Sequence, residues 1–231
     1  MTGIIAALGI EMALLRQNLE NERTREIAGR IYYSGRLCGR DVVLAVCGIG
    51  KVNAAVCAQT MCLEYKPDLI INTGVAGALA DGLGVGDVVV AGSAVQHDRD
   101  TTACGDPPGT LDLGEGLMVN LPCDESISAA LLEQAQSLDA SAVLGTVASG
   151  DQFIHSAERK GFIRGTFNAA CCEMEGGAIA HVCALNGVKC AIVRVMSDSA
   201  DGGAPVDFTQ FAPRAADLSA RIVRGFLASN K

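Results

Sequence analysis

"GIGKVNAAVCAQTMCLEYKPDLIINTG" (48–74) carries two patterns in one stretch. After "GIGKVN" (48–53) it reads as a helix running to about Tyr65, because Pro67 disfavours helical geometry in the residue before it. "DLIINTG" (68–74) then reads as a continuous apolar strand. A strand without polar alternation is buried on both faces, as in a parallel sheet covered by helices.

The same alternation extends in both directions. Upstream, "GIIAAL" (3–8) reads as a strand and residues 10–22 as a helix with apolar Met12, Leu14, Leu15 and Leu19. "RIYYSGRL" (30–37) and "DVVLAVCG" (41–48) form a hairpin around Cys38–Arg40. Downstream come a long strand in "VGDVVVAGSAVQH" (85–97) and a helix in "DESISAALLEQAQSL" (124–138), capped by Asp124 or Ser126. "SAVLGTVASGD" (141–151) and "KCAIVRVMSD" (189–198) are strands ending in polar residues, and "EMEGGAIAHVC" (173–183) passes from an apolar strand into a buried helix. The segment 207–229 is helical, with Asp207 as its cap. The expected fold is α/β: one domain over residues 1–231, with a central mixed, largely parallel twisted sheet flanked by helices. Residues 98–117 are the one long irregular stretch, of a length usually tied to function or an interface.

Composition narrows the function. The chain of 231 residues is 49% hydrophobic and 19% charged, with 27 glycines and no Trp, which suits a core of small aliphatics and close backbone approaches. A net charge of −8 opposes a nucleic-acid partner, which needs a basic footprint. No apolar run reaches the ~18 residues that span a bilayer. The start lacks a basic leader, so a cytoplasmic location is expected. Ten cysteines without C-x-x-C or zinc spacing, mostly within apolar runs, read as buried free thiols. Neither a metal nor a cofactor is expected.

Polar residues just past strand ends mark the ligand site of α/β sheets. Glu11 follows the first strand, where an acid also complements a helix dipole. Two glycine turns, "CGIGKVN" (47–53) and "NTGVAGAL" (72–79, with Gly77), could bring backbone N–H groups to an anion or a sugar hydroxyl. Neither has Walker or G-x-G-x-x-G spacing, which also argues against a dinucleotide-binding dehydrogenase. In "SGDQFIHS" (149–156) Phe153 either stacks on a flat ligand or fills the core at a strand–helix junction. In "VRVMSDSAD" (193–201) Asp198 is either a helix cap or a carboxyl group kept protonated as a general acid.

Taken together, "GIGKVNAA", "PDLIINTGVAGAL", "VGDVVVA", "EMEGGAIAHVC" and "RVMSDSAD" resemble, in order and spacing, the 5′-methylthioadenosine/S-adenosylhomocysteine nucleosidases of the nucleoside phosphorylase superfamily. The resemblance covers essentially the whole chain. It implies hydrolysis of the N-glycosidic bond of 5′-substituted adenosines, with Asp198 protonating N7 of adenine beside Ser197 and Glu11 activating water beside Arg194. It implies that Glu175 holds the ribose hydroxyls and that Met174 lies against the sugar. Phe153 would stack on the purine and the Ile154 backbone would meet the base edge, while Leu8, Ile49 and Phe208 line the 5′ pocket. Glu173 is either a support for these groups or turned away. The small residues 176–178 would let a helix begin close to the ligand. The family's dimer places the 98–117 loop at the neighbouring subunit's site.

The chain departs from the family at Val75, where a Ser commonly helps to hold the water, and at Cys104, Asp106 and Asp112, where apolar or aromatic residues are usual. The Val leaves more of the water-holding to Glu11 and Arg194, and the more polar loop points to an altered 5′ preference, towards 5′-deoxyadenosine or a polar 5′ group. Two other readings remain: a phosphorylase, with Lys51 and Arg194 as its anion site, and a non-catalytic nucleoside-binding protein.

Overall fold

The computed structural model describes residues 1–114 and 116–229. Its centre is the apolar strand of the opening stretch, which runs farther than expected: β5 spans Leu69–Ala78 and all ten of its residues are buried. It lies between β1 (Thr2–Ala6) and β12 (Lys189–Asp198), parallel to both. β4 (Arg40–Val46) pairs parallel to β1 on the far side. β6 (Val88–Gln96) pairs antiparallel to β12 and parallel to β10 (Ala142–Ser149), which pairs parallel to β11 (Ala169–Glu173). β11 also meets β5, with Cys172 opposite Gly77, so that β11, β10, β6, β12 and β5 close into a ring. The sheet is therefore mixed, and this closure carries the end of β11 to the end of β12.

Helices cover both faces, as continuous apolar strands require. α2 (Lys51–Tyr65) and α5 (Gly176–Asn186) pack on one side, through residues such as Cys57, Met61, Ile179 and Cys183. α1 (Gly9–Gln17), α3 (Glu125–Ser137) and α6 (Ala204–Ser229) cover the other, through Met12, Leu131, Val223 and Phe226. The cap of α3 is Asp124, whose Oδ1 accepts the Ile127 N–H at 3.1 Å.

Several expectations are corrected. The first helix ends at Gln17, and residues 20–27 form an edge strand, β2 (Glu20–Ile27), exposed along most of its length. It pairs with β3 (Arg30–Leu37), and its charges on both faces hide the strand period. The β3–β4 hairpin turns as expected, on Cys38 and Gly39 at φ 51° and 77°. Stretch 72–79 is no turn but the interior and end of β5. α6 begins at Ala204, which puts Asp207 in its first turn and not at its cap. A helix without a counterpart in the sequence reading, α4 (Ala157–Phe167), precedes β11.

Part of the long loop is ordered: a 3₁₀ turn at Thr102–Cys104, then a ribbon of β7 (Leu111–Asp112) and β8 (Leu117–Met118). A short β9 (Leu121–Pro122) then joins β6. All ten cysteines are free thiols; only Cys104 is exposed and Cys38 half-buried. Burial pushes Cys57 and Cys62 up to about 11. No helix among the described residues is long and apolar enough to cross a membrane.

Candidate active site

A cleft, open to solvent at its mouth, lies at the C-terminal ends of β1, β5, β11 and β12. Every residue singled out for the site lines it: Leu8, Glu11, Ile49, Gly77, Phe153, Ile154, Glu173, Met174, Glu175, Arg194, Ser197, Asp198 and Phe208.

Glu11 stands in the first turn of α1, 2% exposed. Its Oε2 accepts the N–H groups of Ala7 at 3.0 Å and Leu8 at 2.8 Å, and its Oε1 accepts that of Val75 at 3.0 Å. Burial raises its pKa, against the pull of the Arg194 charge and those backbone donors. Gly74 makes room for this group: a Cβ there would sit 2.5 Å from Glu11 Oε1 and 2.7 Å from Arg194 Nη1.

Glu173 is turned inward. Its Oε2 accepts the N–H of Glu175 at 3.0 Å and of Gly176 at 2.7 Å, and the carboxylate also meets Ser149 Oγ and Arg194 Nη2. Of the two alternatives read from the sequence, the side chain lies among the other candidate site groups and not away from them. Arg194, 1% exposed, also donates to Asn72 and, at 3.2 Å, to the Val75 carbonyl, and its Nη2 lies 3.8 Å from Glu175 Oε2. Glu175 Oε1 accepts the Gly50 N–H at 2.9 Å. Burial and the neighbouring Glu173 charge raise Glu175 to about 7. Three carboxylates thus share one guanidinium. Gly176 and Gly177 face the sheet and not the cleft, since added Cβ atoms would lie 3.0 Å from Ile192 Cδ1 and 2.9 Å from the Val95 carbonyl.

Asp198 ends β12 just after a register shift opposite Ala76 and Gly77, an irregularity of the kind that re-aims side chains beside active sites. It is 3% exposed and no helix cap. Its Oδ1 accepts the Ala200 N–H at 2.9 Å, and the Ser197 hydroxyl donates to Oδ2 at 2.9 Å. Burial raises its pKa, and the charges of Asp207 and Asp201 add to the rise. Gly77 lets it approach, because a Cβ there would be 2.7 Å from Oδ1. Phe153 is 44% exposed, so it is no core residue; it meets Phe208 edge-on with centroids 5.8 Å apart. Ile154 is buried.

Ala7, Val75, Ala76, Gln152 and Cys172 complete the lining. Val75 is the position already noted as a departure from the family; each of the other four adjoins a residue named from the sequence, which is the only signal that marks them. Lys51 does not line the cleft; its ammonium donates to Asp98 Oδ1 at 2.6 Å and Gln96 Oε1 at 3.1 Å.

The family model described as the phosphorylase superfamily matches residues 2–228. A 5′-methylthioadenosine/S-adenosylhomocysteine nucleosidase of Geobacillus thermodenitrificans is 40% identical over 226 residues, covering 97% of this chain and 94% of that protein. The nucleosidase of Neisseria meningitidis, solved with methylthio-immucillin-A, superposes with a TM-score of 0.94 at 37% identity over 99% of this chain and 98% of that one. The futalosine hydrolase of Helicobacter pylori superposes with a TM-score of 0.92 at 32% identity, over 97% and 96%.

Proposed function

The chain belongs to the phosphorylase superfamily and, within it, to the 5′-methylthioadenosine/S-adenosylhomocysteine nucleosidases; from that premise we propose that it hydrolyses 5′-substituted adenosines to adenine and the 5′-substituted ribose. The observation that carries this reading is the meeting of Glu11, Glu175 and Asp198, far apart in sequence, in one cleft with Phe153 and Met174.

In the reaction, the purine lies against Phe153 with its N7 towards Asp198. Burial raises the pKa of this carboxyl group and so favours its protonated form; in this reading its proton passes to N7 as the bond from C1′ to N9 breaks, so adenine leaves neutral. Positive charge develops on the sugar. It faces Glu11, Glu173 and Glu175, which outnumber the single Arg194 cation and so favour a cationic transition state. Water attacks C1′ and passes a proton to Glu11, whose raised pKa suits a general base. Solvent returns that proton to Asp198. Glu175 accepts from the ribose hydroxyls, and Met174 offers the sugar an apolar wall. Leu8, Ile49 and Phe208 surround the 5′ group, and the Ile154 backbone meets the base edge. None of these steps needs a metal or cofactor.

A phosphorylase is disfavoured because both candidate cations are already neutralised. Lys51 is paired with Asp98, and Arg194 with Glu173. Phosphate would enter a cleft with excess carboxylate. Product analysis on methylthioadenosine, adenosylhomocysteine and 5′-deoxyadenosine, with and without phosphate, tests the reading. Adenine and free sugar should appear at equal rates in both conditions; ribose 1-phosphate would overturn it. The polar Cys104, Asp106 and Asp112 support a shifted 5′ preference, which a strong methylthio preference in the same panel would refute.

We further propose a cytoplasmic homodimer acting in nucleoside catabolism and methionine salvage. Free thiols support the compartment. The dimer is supported by a stripe on α2, with Val52, Val56 and Leu63 exposed by 74%, 44% and 63% next to Ile49 at the cleft mouth. Leu117 of the long loop is likewise 64% exposed. Sedimentation should give twice the chain mass and Leu63→Arg should halve it; a monomeric wild type sinks the proposal.

A further inference from the structure

Behind the cleft, outside its lining, three charged residues close a ring. The Lys51 backbone N–H donates to Asp151 Oδ1 at 2.8 Å. The Asp151 N–H donates to Asp98 Oδ2 at 2.8 Å, and Asp98 Oδ1 accepts the Lys51 ammonium at 2.6 Å. The ion pair is mostly buried, with side chains 19% and 16% exposed, so it is less screened than a surface pair.

The ring touches the segments that carry Phe153 and Glu175. Asp151 stands two residues before Phe153. Lys51 follows Gly50, whose N–H holds Glu175 Oε1. Consecutive N–H groups at the start of α2 therefore grip two carboxylates, one on the sugar side and one on the base side. Asp98 opens the long loop directly after β6. A fourth residue, Gln96, accepts from Lys51 and donates to the Gly177 carbonyl at 3.4 Å, tying in the helix after Glu175. Two glycines allow the closure. Gly50, at φ 97°, would otherwise place a Cβ 2.9 Å from Asp151 Oδ1. A Cβ on Gly150 would lie 3.0 Å from Asp98 Cγ and against the His97 ring.

We propose that Lys51, Asp98 and Asp151 are positioning residues which fix the span between the base platform at Phe153 and the sugar acceptor Glu175, with Asp98 joining the other two. The inference rests on the nucleosidase reading. A bound nucleoside bridges the two segments, so a fixed span keeps both contacts available at once and limits the ordering cost of binding. Loosening the ring should weaken binding while leaving the acids that act on the bond in place.

Steady-state kinetics with 5′-methylthioadenosine test this. Asp98→Ala is expected to raise KM about tenfold while kcat stays within about threefold. Lys51→Met should behave alike, and Lys51→Arg should keep KM within about threefold of wild type. Phe153→Ala, costing about tenfold in kcat/KM alone, should cost less than about threefold in the Asp98→Ala background, because the platform is already displaced. If Asp98→Ala does not fold, Asp98→Asn retains an acceptor for the Asp151 N–H and should raise KM about fivefold with kcat unchanged. An unchanged KM, equal losses in KM and kcat, or strictly multiplicative losses with Phe153→Ala would overturn the proposal. Wild-type protein that releases no adenine would instead overturn the nucleosidase reading, and this inference with it.

Discussion

The two ends of the cleft solve opposite electrostatic problems. At the sugar end, Glu11, Glu173 and Glu175 surround a guanidinium that is 1% exposed, and Glu11 and Glu173 also accept backbone N–H groups. At the base end, Asp198 is buried as deeply, but the groups that act on its charge are one hydroxyl, one N–H and two further carboxylates. One end gathers negative charge around a shared cation, while Asp198 at the other end is in no ion pair among the described residues. Burial raises the pKa on both sides, yet the consequences differ. Surplus charge opposite a sugar stabilises a cation there; a lone buried carboxyl group retains a proton it can give away. That contrast is the division of labour that breaking a glycosidic bond to a poor leaving group requires.

If the ends are specialised in this way, the largest effects come from removing charge or proton at each. Asp198→Asn keeps the shape but cannot give a proton, and should lower kcat by about 10²–10⁴-fold. Glu11→Gln should lose a similar factor, through the water and not the leaving group. A substrate whose leaving group departs without protonation separates the two. Such a substrate should rescue Asp198→Asn and leave Glu11→Gln slow. Equal rescue of both variants would show that the ends are not distinct.

This contrast was only partly legible in the sequence. The α/β alternation, the core strands and the segments carrying the acids could be read because apolar runs and glycine or proline stops act locally. β2 could not, since "ENERTREI" has charges on both faces and gains its strand geometry from pairing with β3. Gly74 and Gly77 read as turn residues, yet they sit in a buried strand. Their role is to leave space for Glu11, Arg194 and Asp198, which arrive from other parts of the chain. The place of Glu173 was undecidable for the same reason: its partners Ser149 and Arg194 lie 24 and 21 residues away. Packing across the sheet sets these positions, and no local pattern encodes them.

A smaller effect follows at the sugar end, in stability and not in rate. Glu175 is raised to about 7, whereas an unfolded chain would titrate it near the ordinary glutamate value of 4.5. Between those two pH values the folded chain binds a proton that the unfolded chain does not. Stability must then fall as pH rises through this window, by up to about 3 kcal/mol for this group. Below about pH 4.5 both states hold the proton, and well above 7 neither does, so the slope from this group vanishes at each side. Glu175→Gln carries no titrating group and should flatten the urea-unfolding free energy between pH 5 and 7. Ligand binding should act in the same direction, because ribose hydroxyls that donate to the ionised carboxylate lower its pKa. An unchanged slope in Glu175→Gln would mean that Arg194 offsets the burial of this acid, so that it titrates near its ordinary value and is ionised across the window.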